Sequence, residues 1–157
     1  MASARKVEID CEASFAAVAA SVIEVRSDEV FEQAEGVLDL DDVEHVHDMR
    51  VATRRLRAAL EVFESCFPPK RHRKVLKRVK ALADALGQRR DLDVEIGLLE
   101  SLAAEVADVD RAALARLIEE RQAKQRRAND ELAPIVASKR LEKLRKRLAK
   151  LVRKAGA

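Results

Sequence analysis

Residues 44–63, EHVHDMRVATRRLRAALEVF, set two histidines and four arginines within thirteen positions of a segment that otherwise reads as a core helix. On a wheel of 100° per residue, His47, Arg50, Arg54 and Arg57 share an arc of about 80°, and Met49, Ala52, Leu56, Ala59, Leu60 and Phe63 lie opposite. One side fits a core; the other is a cationic ridge about 15 Å long. Arg55 falls outside it. No acid stands between 49 and 60, so the ridge lacks the glutamates at i and i+4 that accompany arginines on a solvated helix. A guanidinium offers a planar fork of donors matched to phosphate oxygens, and forks one turn apart suit a polymer of phosphates better than one small anion. The competing reading is that acids of a neighbouring helix neutralise the row.

Other chemistries fit less well. The pair His47 and Asp48 resembles half of a metal-dependent phosphohydrolase dyad, but that chemistry needs further ligands, and only His45 and His72 remain. His45 and His47 stand about 200° apart on the wheel and cannot hold one ion together. Neither a phosphate-cradling glycine loop nor a nucleophile with its base is evident, so no catalytic residue, metal or cofactor is expected.

A second basic segment follows, KRHRKVLKRVKALADALGQRRD. It sets Val75, Val79, Leu82 and Leu86 on one face, Lys70, Lys74 and Lys77 opposite, and Arg71 and Arg78 on the flanks. Joined to the ridge helix through Pro68 and Pro69, it is expected to run antiparallel to it, with the two basic stripes bordering one groove.

The elements carrying these residues are all helical. Only 4 Gly, 3 Pro and 4 aromatic residues, all Phe, interrupt a chain rich in Ala, Leu, Val, Glu, Lys and Arg. The spacing predicts helices over 12–35, from the LDLDD turn to about 66, and over 69–86, 90–106, 109–133 and 138–154. Asp41 with Glu44 imitates a capping box, Gly87 reads as a C-cap, Ser138 as an N-cap, and Pro134 as a break or kink. The expected architecture is a single domain over 1–157: an all-α bundle of long antiparallel helices, with a four-helix-bundle-like core and additional helices.

The net charge of +3 conceals four alternating blocks. Residues 1–45 sum to −9, 46–90 to +9, 91–133 to −5 and 134–157 to +8. Such segregation gathers cations in the fold, where acids or a bound polyanion must offset their repulsion. Cys11 and Cys66 form no paired motif and suit a reduced, cytoplasmic protein. ASFAAVAASVI, 13–23, reads as a helix face rather than a signal peptide because Glu8, Asp10 and Glu12 precede it, and no run is long enough to cross a bilayer.

VHDMRVATRRLRAALEVF, 46–63, followed by LGQRRDLDVEIGLLESL, 86–102, resembles the N-terminal half of the CHAD family, the conserved histidine α-helical domains. The first block is similar to the family's H-x-x-R-V-x-x-R-R-L-R segment at every position, and the second to its L-G-x-x-R-D-x-D-V segment. The likeness covers about 40–155, with 12–35 fitting a leading helix more loosely. It implies a helical protein that binds inorganic polyphosphate through a basic surface, often near polyphosphate granules. Carried over by position, His47, Arg50, Arg54, Arg57 and Arg90 are its binding residues; Lys74, Lys77 and Arg78 join them from the second basic helix, and Asp91 is expected to orient an arginine. Full-length relatives resemble a tandem of two such bundles, whereas this chain carries one copy, so a homodimer is expected to complete the site.

Two rival readings stay open. A nucleic-acid binder also uses cationic grooves, but no Tyr or Trp is present to stack bases, and the ridge has no Asn or Gln to read base edges. A scaffold protein would use Leu141, Leu144, Leu148 and Leu151 of the last helix for docking, and the same helix's Lys and Arg residues would equally extend an anion path.

Overall fold

The computed structural model describes residues 3–156, the side chains of 108 and 109 excepted, and contains five α-helices and no strand among them. They are α1 (Phe15–Glu32), α2 (Glu44–Val62), α3 (Pro69–Glu105), α4 (Asp108–Val136) and α5 (Ser138–Val152), with a single 3₁₀ turn, Glu64–Cys66, before α3. Helix α1 packs on α2 and α5, α2 on α3, and α3 on α4 and α5.

Several local expectations are corrected. The helices expected over 69–86 and 90–106 are one helix of 37 residues. Gly87 cannot be its C-cap, because a glycine cap needs a positive φ and only Gly36 and Gly156 have one. The helix runs on because Leu82, Leu86 and Ile96, with Arg89 and Asp93, continue one buried stripe past the glycine. The Asp41–Glu44 box does not form: Val43 is the N-cap of α2 and makes no side-chain cap bond. Instead the turn is held by Asp39 Oδ1 accepting from Asp41 N at 2.8 Å and Asp42 Oδ1 from Glu44 N at 3.1 Å. Ser138 is already helical, with the extended Ala137 as the cap residue, and Pro134 sits within the last turn of α4 two residues before its end. Helix α1 is capped by Ser14, whose Oγ accepts from Ala17 N at 3.2 Å.

The leucines of α5 are not free to dock elsewhere. Leu141, Leu144, Leu148 and Leu151 are buried with Ile23 of α1, Leu56 and Leu60 of α2, and Val75 and Val79 of α3 in one core. At one end of it the His72 ring lies parallel to Phe67 and its Nε2 donates to the Leu60 carbonyl at 2.8 Å, closing the α2–α3 turn. At the other end Gly36, φ 75°, lets the loop before α2 turn beneath His45. A Cβ on Gly36 would come within 2.8 Å of that imidazole.

Between α3 and α4 the core is polar. Arg89, fully buried, donates from Nη1 to Asp93 Oδ1, which also accepts from Gln125 Nε2 of α4 at 2.7 Å. Burial pushes the Asp93 carboxyl upward against the opposing pull of Gln125 and Arg89, and pushes the Arg89 guanidinium downward. Arg89 Nη2 also donates to the Asp39 carbonyl at 3.4 Å, and Asn129 Nδ2 of α4 to the Leu38 carbonyl at 3.0 Å. Helices α3 and α4 thereby hold the loop that leads into α2.

Removing one partner of this pair strands the other in the core. Asp93→Ala is expected to lower the unfolding free energy by about 3–5 kcal/mol, whereas joint replacement of Arg89 and Asp93 by leucine costs far less. Urea unfolding of the single and double variants checks the difference.

Candidate functional site

The ridge forms as its spacing requires. Met49, Ala52, Leu56 and Leu60 are buried in the core, while Arg54 is exposed and Arg50 and Arg57 half-buried on the other side of α2. Arg50, Arg54 and Arg57 make one wall of an open groove of about 440 Å³. Ala83, Asp84, Gly87, Gln88 and Asp91 of α3 make the other. Arg50 and Arg57 stand seven residues apart, so the arginine wall spans about 10 Å.

Gly87 faces Arg50 across the groove. A Cβ there would meet Arg50 Nε at 3.9 Å, an ordinary contact, so a small residue is tolerated and a long one would fill the groove. Its bare backbone leaves the floor open.

The electrostatics of the row are uneven. Arg57 donates from Nε to Glu61 Oε1 at 3.2 Å, and Lys80 of α3 meets the same oxygen at 3.0 Å. The Lys80 ammonium first, and Arg57 second, hold the Glu61 carboxyl below the usual range. Because the three side chains are 40–42% exposed, this bridge orients Arg57 more than it stabilises the fold. Arg50 and Arg54 have no ion-pair partner within 4 Å among the described residues. Asp84 and Asp91 line the groove without such a bond to them, so neutralisation by acids is partial.

Not every residue singled out in the sequence comes to this groove. Arg90 turns to the start of α2, donating from Nη1 to the Val43 carbonyl at 3.5 Å with Nη2 3.8 Å from Glu44. It braces the start of α2. His47, half-buried, lies one turn before Arg50 and outside the groove lining. Lys74, Lys77 and Arg78 are the clear correction: they line a separate cavity, also about 440 Å³, together with Arg147 of α5. The two basic stripes do not border one groove because α3 turns its lysine stripe toward α5 and presents its Asp84–Asp91 side to α2.

A family model for the CHAD domain matches residues 21–157. The chain belongs to the CHAD domain family. The match takes in the two motif helices and most of α1, the leading helix that the motifs fitted more loosely. No curated protein matches the chain. Within this CHAD domain the first motif supplies the arginine wall and the second supplies the facing wall through Gly87, Gln88 and Asp91. The second motif also supplies the Arg89, Arg90 and Asp93 contacts that anchor α2. Arg89 and Asp93 were missed as a pair, although both fall on the Leu82–Leu86–Ile96 stripe of the wheel, where a charged side chain must find a buried partner. Among the described residues no three His, Cys, Asp or Glu side chains come together as a metal site would require.

Gly87 sits inside a helix without needing glycine's freedom, so Gly87→Ala is expected to raise the unfolding free energy by about 0.5–1 kcal/mol. Thermal unfolding checks this; a loss of stability would mean that the groove wall cannot accept a methyl.

Proposed function

We propose that this CHAD domain binds inorganic polyphosphate along the α2–α3 groove and acts as a binder rather than an enzyme. One observation carries the reading: among the described residues Arg50 and Arg54 stand without ion-pair partners, on a wall whose opposite side is opened by Gly87. Family membership supports it, since CHAD domains are associated with polyphosphate binding in general. A phosphate polymer laid in the groove supplies the anions that the helices only partly provide, through Arg50, Arg54 and Arg57, with His47 extending the row at its N-terminal end. Asp84 and Asp91 on the facing wall repel a ligand that comes too near α3. Two free cysteines, one buried, suit the reducing cytoplasm where such a polymer would be met.

A second copy of the chain belongs to the same proposal. Beyond the start of α2, helix α3 carries Val94, Leu98 and Leu102, 54%, 70% and 46% exposed, in line with Gly87 and Asp91 on one helix face. A two-fold pairing across that face would set two arginine walls near each other, and a polyanion between them would relieve their repulsion.

Arg50→Gln, Arg54→Gln and Arg57→Gln combined should weaken polyphosphate binding by several kcal/mol, at about 1.5–3 kcal/mol for each charge-assisted contact, with an unchanged helical spectrum. Long chains should bind far more tightly than tripolyphosphate, and affinity should fall steeply with salt, by analogy with nucleic acids. Competition among long polyphosphate, tripolyphosphate, duplex DNA and heparin at two salt concentrations tests this; preference for DNA would favour the nucleic-acid reading. Sedimentation with and without polyphosphate tests the pairing, which predicts that ligand tightens self-association. A monomer at every concentration, unchanged by ligand, would leave the open groove as the whole site.

A further inference from the structure

The cations that do not reach the α2–α3 groove converge elsewhere. One cavity of about 240 Å³ is lined by Arg71, Lys74 and Val75 of α3 and Arg147, Lys150 and Leu151 of α5. The neighbouring one is lined by Lys74, Lys77, Arg78 and Arg147. Lys74 and Arg147 line both, so the two are parts of one groove along antiparallel helices. Every polar side chain lining it is a lysine or an arginine; no carboxylate does. None of these six cations has an ion-pair partner within 4 Å among the described residues.

The other flank of α5 shows that this is not a general feature of a basic helix. Where α5 meets α1, Arg145 lies 3.8 Å from Asp28 and stacks over Phe31 at 5.7 Å, and Glu24 and Asp28 line that cleft with Arg145 and Arg153. The acidic block of the chain neutralises α5 on the α1 side. On the α3 side two basic blocks face each other, and their mutual repulsion is relieved only by counterions or by a bound anion.

We propose that the α3–α5 groove is a second, separate site for a linear phosphate polymer, so that one chain offers two polyphosphate-binding grooves; the identity of the ligand rests on the reading given above, the separateness of the groove does not. Three guanidiniums, Arg71, Arg78 and Arg147, provide forks for phosphate oxygens, and Lys74, Lys77 and Lys150 provide point charges between them. Arg71 to Arg78 spans about 10 Å along α3, matching the length of the arginine wall on α2. Cations on both banks embrace a chain of charges, and Val75 and Leu151 form an apolar floor that offers bases neither a stacking ring nor an amide for readout. Because α2 and α5 lie on different sides of α3, a polymer long enough to pass around the bundle engages both grooves at once. The second engagement then occurs at the high effective concentration of a tethered ligand.

Calorimetric titration of the full chain with a short linear polyphosphate should count two sites. Lys74→Gln with Arg147→Gln should remove one and leave the other, Arg50→Gln with Arg54→Gln should do the converse, and either pair should weaken long-chain binding on the order of tenfold or more. Arg71→Gln with Lys150→Gln, both exposed, provides an independent pair should the half-buried Arg147 prove necessary for folding. One site per chain, lost with Arg50 and Arg54 and untouched by either α3–α5 pair, would overturn the second site and leave the polyphosphate reading standing. A wild-type chain that binds no polyphosphate would overturn both. Duplex DNA displacing the polymer only in chains with an intact α3–α5 groove would make nucleic acid the ligand there and overturn the assignment.

Discussion

The bundle depends on one buried ionic contact, Arg89 with Asp93, shared by Gln125 across the α3–α4 interface. Two opposite charges in a dry core are worth little net stability against apolar replacements, because desolvation costs about as much as their attraction returns. What the pair contributes is geometry. A guanidinium holds its donors in a fixed fork; here one goes to Asp93 and another to the Asp39 carbonyl in the loop before α2. Arg90 reaches Val43 and Asn129 reaches Leu38, so α3 and α4 hold three carbonyls of that loop. The rotation and axial position of α2, and hence the direction in which Arg50, Arg54 and Arg57 point, follow from those contacts together with the apolar packing of Leu56 and Leu60.

The charge pattern and the fold explain each other. Acidic α1 sits against one flank of basic α5, and the acidic turn of α3 sits opposite the arginines of α2. Two stretches of positive charge are left without a full complement, one on each side of α3. A protein held only by its apolar core would gain from scattering these cations among its acids. Their retention in two grooves of similar length is intelligible if anions complete them.

Much of this was legible in the residue order. Periodicity at 3.6 residues separated Met49, Leu56 and Leu60 from the arginines, and the same rule assigned Val75, Val79, Leu82 and Leu86 to the core, because burial of apolar surface depends on composition and spacing alone. The helical class and the family likeness followed from the same local signals. The boundaries did not. Gly87 and the Asp41–Glu44 pair looked like helix punctuation, yet a glycine without a positive φ continues a helix whose flanks pack well, and a turn full of aspartates has several ways to satisfy its own N–H groups.

The sequence by itself determined that one face of α2 carries cations and the other a core, since both depend only on neighbours within a helix. Which helix faces which was decided by tertiary packing. Lys74, Lys77 and Arg78 look toward α5 and not toward the ridge, and Arg90 braces a backbone instead of lining a groove. Each of these outcomes turns on the rotation of α3 about its own axis. That angle is set by the apolar contacts of α3 with α2, α4 and α5 at once, and by the one orientation in which Arg89 can be buried with all its neighbours in reach. No window of the sequence contains those partners together: Asp39, Arg89 and Gln125 are far apart along the chain and meet only in the fold.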